Sequence, residues 1–421
     1  MESLKNFGSN KKMKESLFNY RFEYENQKYI FNTNNNGLIQ INNDIFTEEE
    51  REYLRVNRFW VDDNEDEIAL LEREINHNIQ KRQKELELTI ALTNYCNFSC
   101  VYCYQNKNEK LMTTEVANMI IEKIDRILND NIFEGINIHY FGGEPLLNIP
   151  VLIYLDENIK KILCECFTGI IRHIKKITDK IGIVYKAFLT TNGSMLSKEL
   201  LQKVKFSSIQ LTFDGLEKTH DRLRVSDHFH FKEEIELIEN IMNFSQAKVL
   251  LRTNICKENK DEIIALHKYI FEKFGNERIE INPNRTIKYH QDDSFEMLSV
   301  QEYAEVAYQI KLLWSEQKGK FELPVPRSTP CKFPYGNAYA ISPEGYCTFC
   351  SGSMDQEKKY FFDVDIENKK MFSVRKECKK CNILPLCLGG CIIQYNLRAG
   401  ACTYEKYELK NILISYIKHI S

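Results

Sequence analysis

Strand-like and helix-like segments alternate regularly between residue 86 and about residue 284. The predicted strands are 86–93, 136–141, 183–191, 207–213, 248–255 and 278–283, and the predicted helices between them begin near residues 114, 151, 197, 231 and 260. Alternating βα units fold as a parallel sheet, and six units are fewer than the eight of a closed barrel. The sequence therefore predicts an α/β fold with a partial (β/α)6 TIM-like barrel.

A cluster of three cysteines, Cys96, Cys100 and Cys103, follows the first predicted strand. This Cys-x3-Cys-x2-Cys loop lies at the carboxyl end of its strand, where α/β barrels keep their active sites. Thiolates are the usual ligands of a 4Fe-4S cluster, and three ligands leave one of the four irons open for chemistry. A zinc site is the alternative, but no histidine or fourth cysteine follows at zinc-finger spacing.

Polar and glycine residues follow the next three predicted strands as well. The second strand leads into Gly142, Gly143 and Glu144. Paired glycines allow close approach of the backbone to a ligand, and the neighbouring acid can accept a hydrogen bond from an ammonium group. Turn chemistry is the alternative explanation for the Asn-Gly and Asp-Gly pairs after the third and fourth strands. The polar candidates at these two strands are Asn192, Thr212, Asp214 and Arg224.

The overall composition excludes several classes of protein. The 421 residues carry a net charge of −3, so no global field favours nucleic acid. No apolar run is long enough to span a membrane, and the first residues lack the apolar core of a signal peptide. We therefore expect a cytoplasmic protein with neither nucleic acid nor membrane as a partner.

A second group of cysteines lies in the last quarter of the chain. In a reducing compartment, cysteines at ligand spacing indicate metal or iron–sulfur sites rather than disulfides. A zinc ribbon is the alternative. Only Cys164, Cys166 and Cys256 lie outside the two groups, and we expect these three to be ordinary thiols. The second group consists of Cys331, Cys347, Cys350, Cys378, Cys381, Cys387, Cys391 and Cys402.

Together these motifs resemble the radical S-adenosylmethionine (SAM) enzymes that carry a C-terminal SPASM domain. In that family SAM chelates the open iron of the first cluster, and its 5′-deoxyadenosyl radical abstracts a hydrogen atom from substrate. The resemblance implies that Cys96, Cys100 and Cys103 bind this SAM cluster. It implies that Glu144 holds the amino group of SAM, and that Thr212 and Arg224 hold its ribose and carboxylate. The full set of implied SAM-binding residues is Tyr104, Gly142, Gly143, Glu144, Asn192, Thr212, Asp214 and Arg224.

The C-terminal cysteines resemble the ligands of two auxiliary 4Fe-4S clusters, which gives three clusters in all. Some relatives have a further cysteine six residues after the first ligand, where this chain has Asn337. Cys347 is the nearby spare thiol, but in a strand over 346–350 it and Cys350 would point to opposite faces. An open iron that binds a substrate thiolate is the alternative. The resemblance assigns Cys331, Cys350 and Cys391 to auxiliary cluster I, and Cys378, Cys381, Cys387 and Cys402 to auxiliary cluster II.

The resemblance implies an oxidoreductase that modifies a ribosomally made precursor peptide, with a thioether or another cross-link as product. It also implies an electron donor of the flavodoxin or ferredoxin type. The anaerobic sulfatase maturases, which make formylglycine, are the alternative, but they carry an aspartate where this chain has Ser351. A non-catalytic iron–sulfur electron carrier is an alternative of another class. The barrel and the Gly-Gly-Glu motif oppose it, because a carrier has no need of SAM.

The chain divides into three predicted segments. Residues 1–85 form a small α+β module, 86–320 the barrel and 321–421 the SPASM domain, with prolines near the second boundary. Within the first segment we expect a loose tail over 1–16, an antiparallel meander over 17–42, a helix capped by Thr47 and Glu50, and a second helix over about 64–83. This module is a candidate element for binding the leader of a precursor peptide by strand addition. A simple cap that supports the barrel is the alternative.

Overall fold

The computed structural model describes most of the chain and divides it into two compact units. The larger unit comprises residues 79–314 and 331–370, and the smaller one comprises 1–78, 315–330 and 371–421. The described residues are 12–41, 46–130, 133–174, 183–275, 277–289, 294–348, 350–353, 359–364, 371–391 and 402–420.

The elements are numbered in chain order. The strands are β1 Met13–Glu15, β2 Asn19–Tyr24, β3 Gln27–Asn32, β4 Gly37–Ile41, β5 Trp60–Asp62, β6 Glu85–Ala91, β7 Ser99–Cys100, β8 Gly135–Phe141, β9 Val184–Thr190, β10 Phe206–Thr212, β11 Arg224–Val225, β12 Lys248–Ile255, β13 Ile279–Arg285, β14 Asn337–Ile341, β15 Tyr346–Thr348 and β16 Lys359–Tyr360. The α-helices are α1 Glu48–Val56, α2 Glu67–Arg82, α3 Thr114–Asp130, α4 Ile149–Ile174, α5 Lys198–Lys203, α6 Glu217–Leu223, α7 Phe231–Phe244, α8 Ile263–Phe274, α9 Val300–Lys318, α10 Lys332–Tyr335, α11 Leu384–Cys387 and α12 Glu405–Ile420.

The larger unit contains the predicted partial barrel. Its six strands lie side by side in chain order, β6, β8, β9, β10, β12 and β13, and each neighbouring pair is parallel. The fold class is therefore confirmed. Side chains alternate between two faces along each strand, so that on β12 the buried Val249 and Leu251 alternate with the half-buried Leu250 and Arg252. The barrel thus has an apolar face for its helices and a more polar interior.

Three further strands extend this sheet beyond β6. β14 pairs with β6 in parallel, and β15 and β16 follow as an antiparallel edge. β15 ends at Thr348, where its pairing with β14 ends, so the strand does not extend over 346–350. Cys350 lies outside the strand, so the alternation of side chains along a strand does not fix the direction of Cys350 relative to Cys347.

The smaller unit combines the first and last parts of the chain. The meander β2–β3–β4 is confirmed as a three-stranded antiparallel sheet, and Thr47 and Glu50 form the expected capping box of α1. The expectation of a loose tail up to residue 16 is wrong for 13–15, because β1 pairs with β5. Residues 1–11 lie outside the described residues. The three-segment division of the chain stays a prediction.

One apolar cluster joins the two ends of the chain within the smaller unit. Phe22 and Phe31 of the meander pack with Leu386 of α11 and with Leu409 and Leu413 of α12. Burial of this apolar surface stabilises the unit as a whole, because none of the segments buries it alone. No helix in the described part of the chain has the length and apolar character that a bilayer-spanning helix requires.

Candidate active site at the carboxyl ends of the barrel strands

The three-cysteine loop runs from the end of β6 across the carboxyl ends of the barrel strands. Its middle forms β7, which pairs antiparallel with β11 so that Cys100 lies opposite Arg224. The amide of Val101 donates to the carbonyl of Leu223 at 3.0 Å, and the amide of Cys103 donates to that of Cys100 at 3.1 Å. The loop is thus attached by its backbone to the segment that follows the fourth barrel strand.

Gly142 and Gly143 let the start of the cysteine loop lie against the end of β8. The amide of Gly143 donates to the carbonyl of Thr93, and that of Glu144 to the carbonyl of Tyr95, both at 2.8 Å. A Cβ atom on Gly143 would lie 2.1 Å from the carbonyl oxygen of Tyr95, and one on Gly142 2.4 Å from that of Thr93. The close approach expected of the two glycines is therefore an approach to the chain's own cysteine loop.

Glu144 connects the second and third strand ends through its carboxylate. One oxygen accepts from the Thr191 hydroxyl at 2.6 Å and from the Leu146 amide at 3.0 Å, and the other accepts from the Asn192 amide at 2.6 Å. The side chain is fully buried, and this burial raises its pKa to about 7 against the opposing effect of these hydrogen bonds. An ammonium group placed beside it would stabilise the ionised form.

The buried carboxyl of Glu144 predicts a pH dependence of stability. Its pKa is about 7 in the folded protein against 4.5 for an exposed glutamate, so folding binds its proton. The contribution of the protonated carboxyl to the free energy of unfolding is complete below about pH 4.5 and is lost as the pH rises through 7. The loss is on the order of 3 kcal/mol. Denaturant unfolding of the metal-free protein at pH 5 and pH 8, compared with Glu144→Gln, measures this loss. A stability difference between the two proteins that stays constant with pH would contradict it.

Asn192 lies beside the first cysteine. Its amide nitrogen is 3.8 Å from the sulfur of Cys96 and donates to the side chain of Asn97 at 2.8 Å. Its oxygen accepts from the amide and the hydroxyl of Ser194, at 3.0 and 2.7 Å. The Asn-Gly pair is therefore a turn that also holds the cysteine loop, and the contact of Asn192 with SAM stays a prediction.

Arg224 and Glu234 form a buried pair of opposite charges behind the cysteine loop. The guanidinium lies 5.3 Å from the centre of the Phe98 ring, and its Nε is 4.0 Å from a carboxylate oxygen of Glu234. His220 approaches the same oxygen at 3.1 Å without hydrogen-bond alignment. Neither Glu234 oxygen nor Arg224 Nε has an aligned hydrogen-bond partner among the described residues. A buried charge without full compensation is costly, which makes Arg224 well suited to an anionic ligand.

Asp214 is fully buried at the end of β10, and its carboxylate is occupied by groups of the protein itself. One oxygen accepts from the amide of Asn254 at 2.6 Å, and the other accepts from the hydroxyl of Tyr102 in the cysteine loop. Burial raises the pKa of Tyr102 well above its usual value, so the phenol is protonated and donates.

The barrel interior carries a row of polar side chains. His139 and Gln210 both approach the hydroxyl of Thr190, at 2.7 and 3.3 Å, and Asn282 donates to Gln210 at 3.2 Å. Burial lowers the pKa of His139 to about 4, so its ring is neutral at pH 7. Thr212 lies opposite Arg252 in the β10–β12 pairing, at the mouth of this interior. The interior thus offers neutral hydrogen-bonding groups below the cysteine loop.

Tyr104 follows the last cysteine of the loop. Its ring centre is 4.9 Å from that of Tyr289, with the rings tilted by 33°. Burial raises the pKa of its phenol, and its role towards SAM stays a prediction.

The donor set of the loop fits a 4Fe-4S cluster. Burial raises the pKa of Cys96 and brings that of Cys100 to about 12, so in the metal-free protein these thiols are protonated. Among the described residues, no three side chains of Cys, His, Asp or Glu converge as the ligands of a single metal ion do. A cubane requires less convergence, because each thiolate binds a different iron.

Three of the four cysteines predicted for auxiliary cluster II lie on successive turns of the smaller unit. The amide of Cys381 donates to the carbonyl of Cys378 at 3.0 Å, and Cys387 ends α11. Gly390 has φ of +72°, and a Cβ there would lie 2.4 Å from Thr403. Burial raises the pKa of the Cys387 thiol to about 11, and the hydroxyl of Thr403, next to Cys402 in the chain, opposes this rise as a hydrogen-bond partner of the thiol.

The cysteines predicted for auxiliary cluster I belong to different units. Cys331 and Cys350 are part of the larger unit and Cys391 of the smaller one. The sulfur of Cys350 accepts from the amide of Gly352 at 3.3 Å, and Cys347 is buried in β15. Both the ligand set and the fourth ligand of this cluster stay predictions.

Sequence reasoning missed Tyr102, Glu234 and the interior row of polar residues. Glu234 stands in the apolar face of α7 between Phe231 and Ile235, and a charge inside an apolar stripe is a usable signal. The sequence pattern that could have indicated the interior row is the polar residue at every second position of the barrel strands. The contact between Tyr102 and Asp214 joins residues 112 positions apart and left no signal in the sequence.

A family model named Radical SAM superfamily matches residues 90–270. Radical SAM cyclopropyl synthase TigE of Paramaledivibacter caminithermalis is 24% identical over 387 residues, which cover 81% of this chain and 76% of TigE. Most other curated relatives are matched over about half their length or less. One is an uncharacterized protein of Methanocaldococcus jannaschii, 34% identical over 134 residues, which are 31% of this chain and 39% of that protein.

Two groups of solved structures share the fold. Native anSMEcpe with bound AdoMet, at 17% identity, aligns with 80% of this chain and 100% of its own, with a TM-score of 0.57. SuiB of Streptococcus suis bound to the precursor peptide SuiA, at 15% identity, aligns with 92% of this chain and 97% of its own, with a TM-score of 0.52. At these identities the likeness shows a common fold.

Proposed function

We propose that this chain, whose residues 90–270 match the family model of the radical SAM superfamily, is a radical SAM enzyme that modifies a ribosomally made precursor peptide by hydrogen abstraction, with a thioether or another cross-link as product. Enzymes of this family use a 4Fe-4S cluster and SAM, whose 5′-deoxyadenosyl radical supplies the oxidising power when both are bound.

The length of the match with TigE carries this proposal. That alignment covers 81% of this chain and 76% of TigE, so it includes more than the radical SAM segment. The GTP 3′,8-cyclase of Clostridium acetobutylicum, in contrast, matches over 44% of this chain. A cyclopropyl synthase forms a new bond between existing atoms of its substrate, which is the class of reaction proposed here. The shared fold with SuiB in complex with its precursor peptide is consistent with a peptide substrate.

The proposed roles of this chain's residues follow from their positions. Cys96, Cys100 and Cys103 would hold the cluster, and Glu144 would accept a hydrogen bond from the amino group of SAM beside it. Arg224, a buried cation whose Nε makes no aligned hydrogen bond to the described residues, would face the SAM carboxylate. The interior of the barrel would hold the reacting part of the peptide, shielded from water. The remaining proposed SAM-contacting residues are Tyr104, Gly142, Gly143, Asn192 and Thr212, whereas both carboxylate oxygens of Asp214 already accept hydrogen bonds within the protein.

The proposed cross-link removes two hydrogens from the peptide. For a thioether, one hydrogen leaves a carbon of the peptide as a hydrogen atom that goes to the 5′-deoxyadenosyl radical. The sulfur of a peptide cysteine then bonds to the resulting carbon radical, and the proton of its thiol passes to solvent. One electron remains and must leave the substrate. The two proposed auxiliary clusters would accept this electron from the substrate. An external carrier of the flavodoxin or ferredoxin type would supply the separate electron that cleaves SAM.

Co-expression tests the proposal directly. The enzyme is expressed with the small open reading frame nearest its gene, and the peptide is analysed by mass spectrometry. We expect a loss of two hydrogens per cross-link, and a thioether would also protect one cysteine per cross-link from iodoacetamide. The matched control is the Cys96→Ala, Cys100→Ala, Cys103→Ala variant, which should leave the peptide mass unchanged.

The same experiment separates the alternative reactions. Loss of 18 daltons at a cysteine in a sulfatase sequence would mark formylglycine formation and would overturn the cross-linking proposal. Ser351, at the start of a short 3-10 helix, cannot act as the carboxylate base expected of a sulfatase maturase. An enzyme that cleaves SAM but leaves every candidate peptide unchanged would exclude peptide modification.

A further inference from the structure

We propose that Tyr102 and Asp214 are positioning residues, which together hold the third cysteine of the SAM cluster in place. The hydroxyl of Tyr102 donates to a carboxylate oxygen of Asp214, and this contact joins the cysteine loop to the fourth barrel strand. Tyr102 immediately precedes Cys103 in the chain, so fixing its ring restrains the backbone from which the Cys103 side chain extends. Asp214 would then act on the cluster through Tyr102 rather than by binding SAM itself.

The carboxylate of Asp214 is a rigid anchor. Its second oxygen accepts from the backbone amide of Asn254 at 2.6 Å. The side chain of Asn259 donates to the carbonyls of both Asp214 and Asn254 at 2.8 Å, and its oxygen accepts from the amide of Cys256 at 2.9 Å. The ends of β10 and β12 are thereby joined in one buried hydrogen-bond network. A side chain held from several directions can fix the position of the group that it binds.

The three cysteines have three different attachments to the barrel. Cys96 follows Tyr95, whose carbonyl accepts from the amide of Glu144. Cys100 lies in the β7–β11 pairing, opposite Arg224. Cys103 lies beyond that pairing, where Tyr102 supplies a side-chain attachment to the barrel. The hydrogen bond to Asp214 is therefore placed where the backbone pairing has ended.

The surroundings of Tyr102 restrict its ring to this orientation. The ring lies edge-on to Phe295, with the centres 6.5 Å apart, and packs on the buried cluster of Leu223, Cys256 and Phe295. The phenol must therefore satisfy its hydroxyl within the protein, and Asp214 is the acceptor at that point. A hydrogen bond to a charged group is stronger than one between neutral groups, and a low dielectric strengthens it further.

Tyr102→Phe removes the hydroxyl and keeps the ring. Tyr95→Phe is the matched control on the same loop, because the side chain of Tyr95 is 45% exposed. In the metal-free protein, we expect backbone amides of 100–104 to exchange roughly tenfold faster or more in Tyr102→Phe, as the loss of a charged hydrogen bond implies. After reconstitution, we expect a shifted electron paramagnetic resonance spectrum of the reduced SAM cluster. Tyr95→Phe should match the wild type in both measurements.

Asp214→Asn supplies an independent variant. We expect it to shift the spectrum of the SAM cluster as well, and the double variant with Tyr102→Phe to shift it little beyond the larger single effect, because both act through one contact. Additive shifts, or wild-type exchange and spectra in Tyr102→Phe, would overturn the proposal. None of these measurements requires a peptide, so they are independent of whether the proposed substrate is correct.

Discussion

Replacing Gly143 with valine is expected to reduce SAM cleavage at least about a hundredfold, the scale of loss caused by displacement of about 1 Å at a reactive centre. A Cβ at this position would lie 2.1 Å from the carbonyl oxygen of Tyr95 and 2.5 Å from its carbonyl carbon. These are backbone atoms of the cysteine loop, which cannot rotate away as a side chain could. The loop must move as a whole, and Cys96 is the next residue. We expect SAM binding, measured by equilibrium dialysis, to weaken severely.

Gly135→Ala is the matched control for this substitution. Gly135 is the first residue of β8, the strand that leads to Gly143. A Cβ on Gly135 would lie 3.5 Å from its nearest neighbours, which is ordinary van der Waals contact. We expect wild-type SAM binding in Gly135→Ala and native circular dichroism in both variants, because Gly143 lies beyond the end of β8. Unchanged SAM affinity in Gly143→Val would refute the placement of the cysteine loop against this turn.

Replacing Cys96, Cys100 and Cys103 together by alanine is expected to abolish SAM cleavage and to remove about four irons per chain, the content of one cubane. The wild type, reconstituted under anaerobic conditions, should contain about twelve irons if all three proposed clusters form. The C-terminal cysteines are proposed to bind the other two clusters, and the irons of these clusters should remain in the variant. Iron and sulfide analysis with absorption spectroscopy measures both quantities.

Cys256→Ala serves as the control for the loss of a thiol. Cys256 is fully buried against Leu223 and Phe295, outside the three-cysteine loop and the C-terminal group. We expect it to keep the wild-type iron content at a modest loss of stability from the small cavity. A wild-type iron content near four, or stoichiometric zinc in place of iron, would contradict the assignment of the C-terminal cysteines to auxiliary clusters.

The barrel could be predicted from the sequence because its signal is local. Each strand is a short apolar run, each helix has its own period, and the chain order of the strands is also their order in the sheet. The strand limits differ from the predicted ones by no more than two residues, as for β13, predicted at 278–283 and observed at Ile279–Arg285. The addition of β14 beside β6 was not predicted, because that pairing joins residues some 250 positions apart.

The candidate site could be predicted as a set of residues, because each motif is short and follows a strand end. The sequence placed Gly142, Gly143, Glu144 and Asn192 near the cysteine loop, and the structure brings them together. It could not show that the two glycines face Tyr95 and Thr93, or that Glu144 bonds to Thr191, since these contacts depend on how neighbouring strand ends meet.

The sequence by itself determined the fold class, the three-cysteine loop and its position above the barrel, because hydrophobic period and ligand spacing are local properties of a chain. Only the tertiary structure decided that Tyr102 reaches Asp214, that Arg224 and Glu234 are buried as a pair, and that the two ends of the chain share one apolar cluster. These contacts join residues that are distant in the chain, and their energy comes from burial and from geometry that exists only after the barrel has folded.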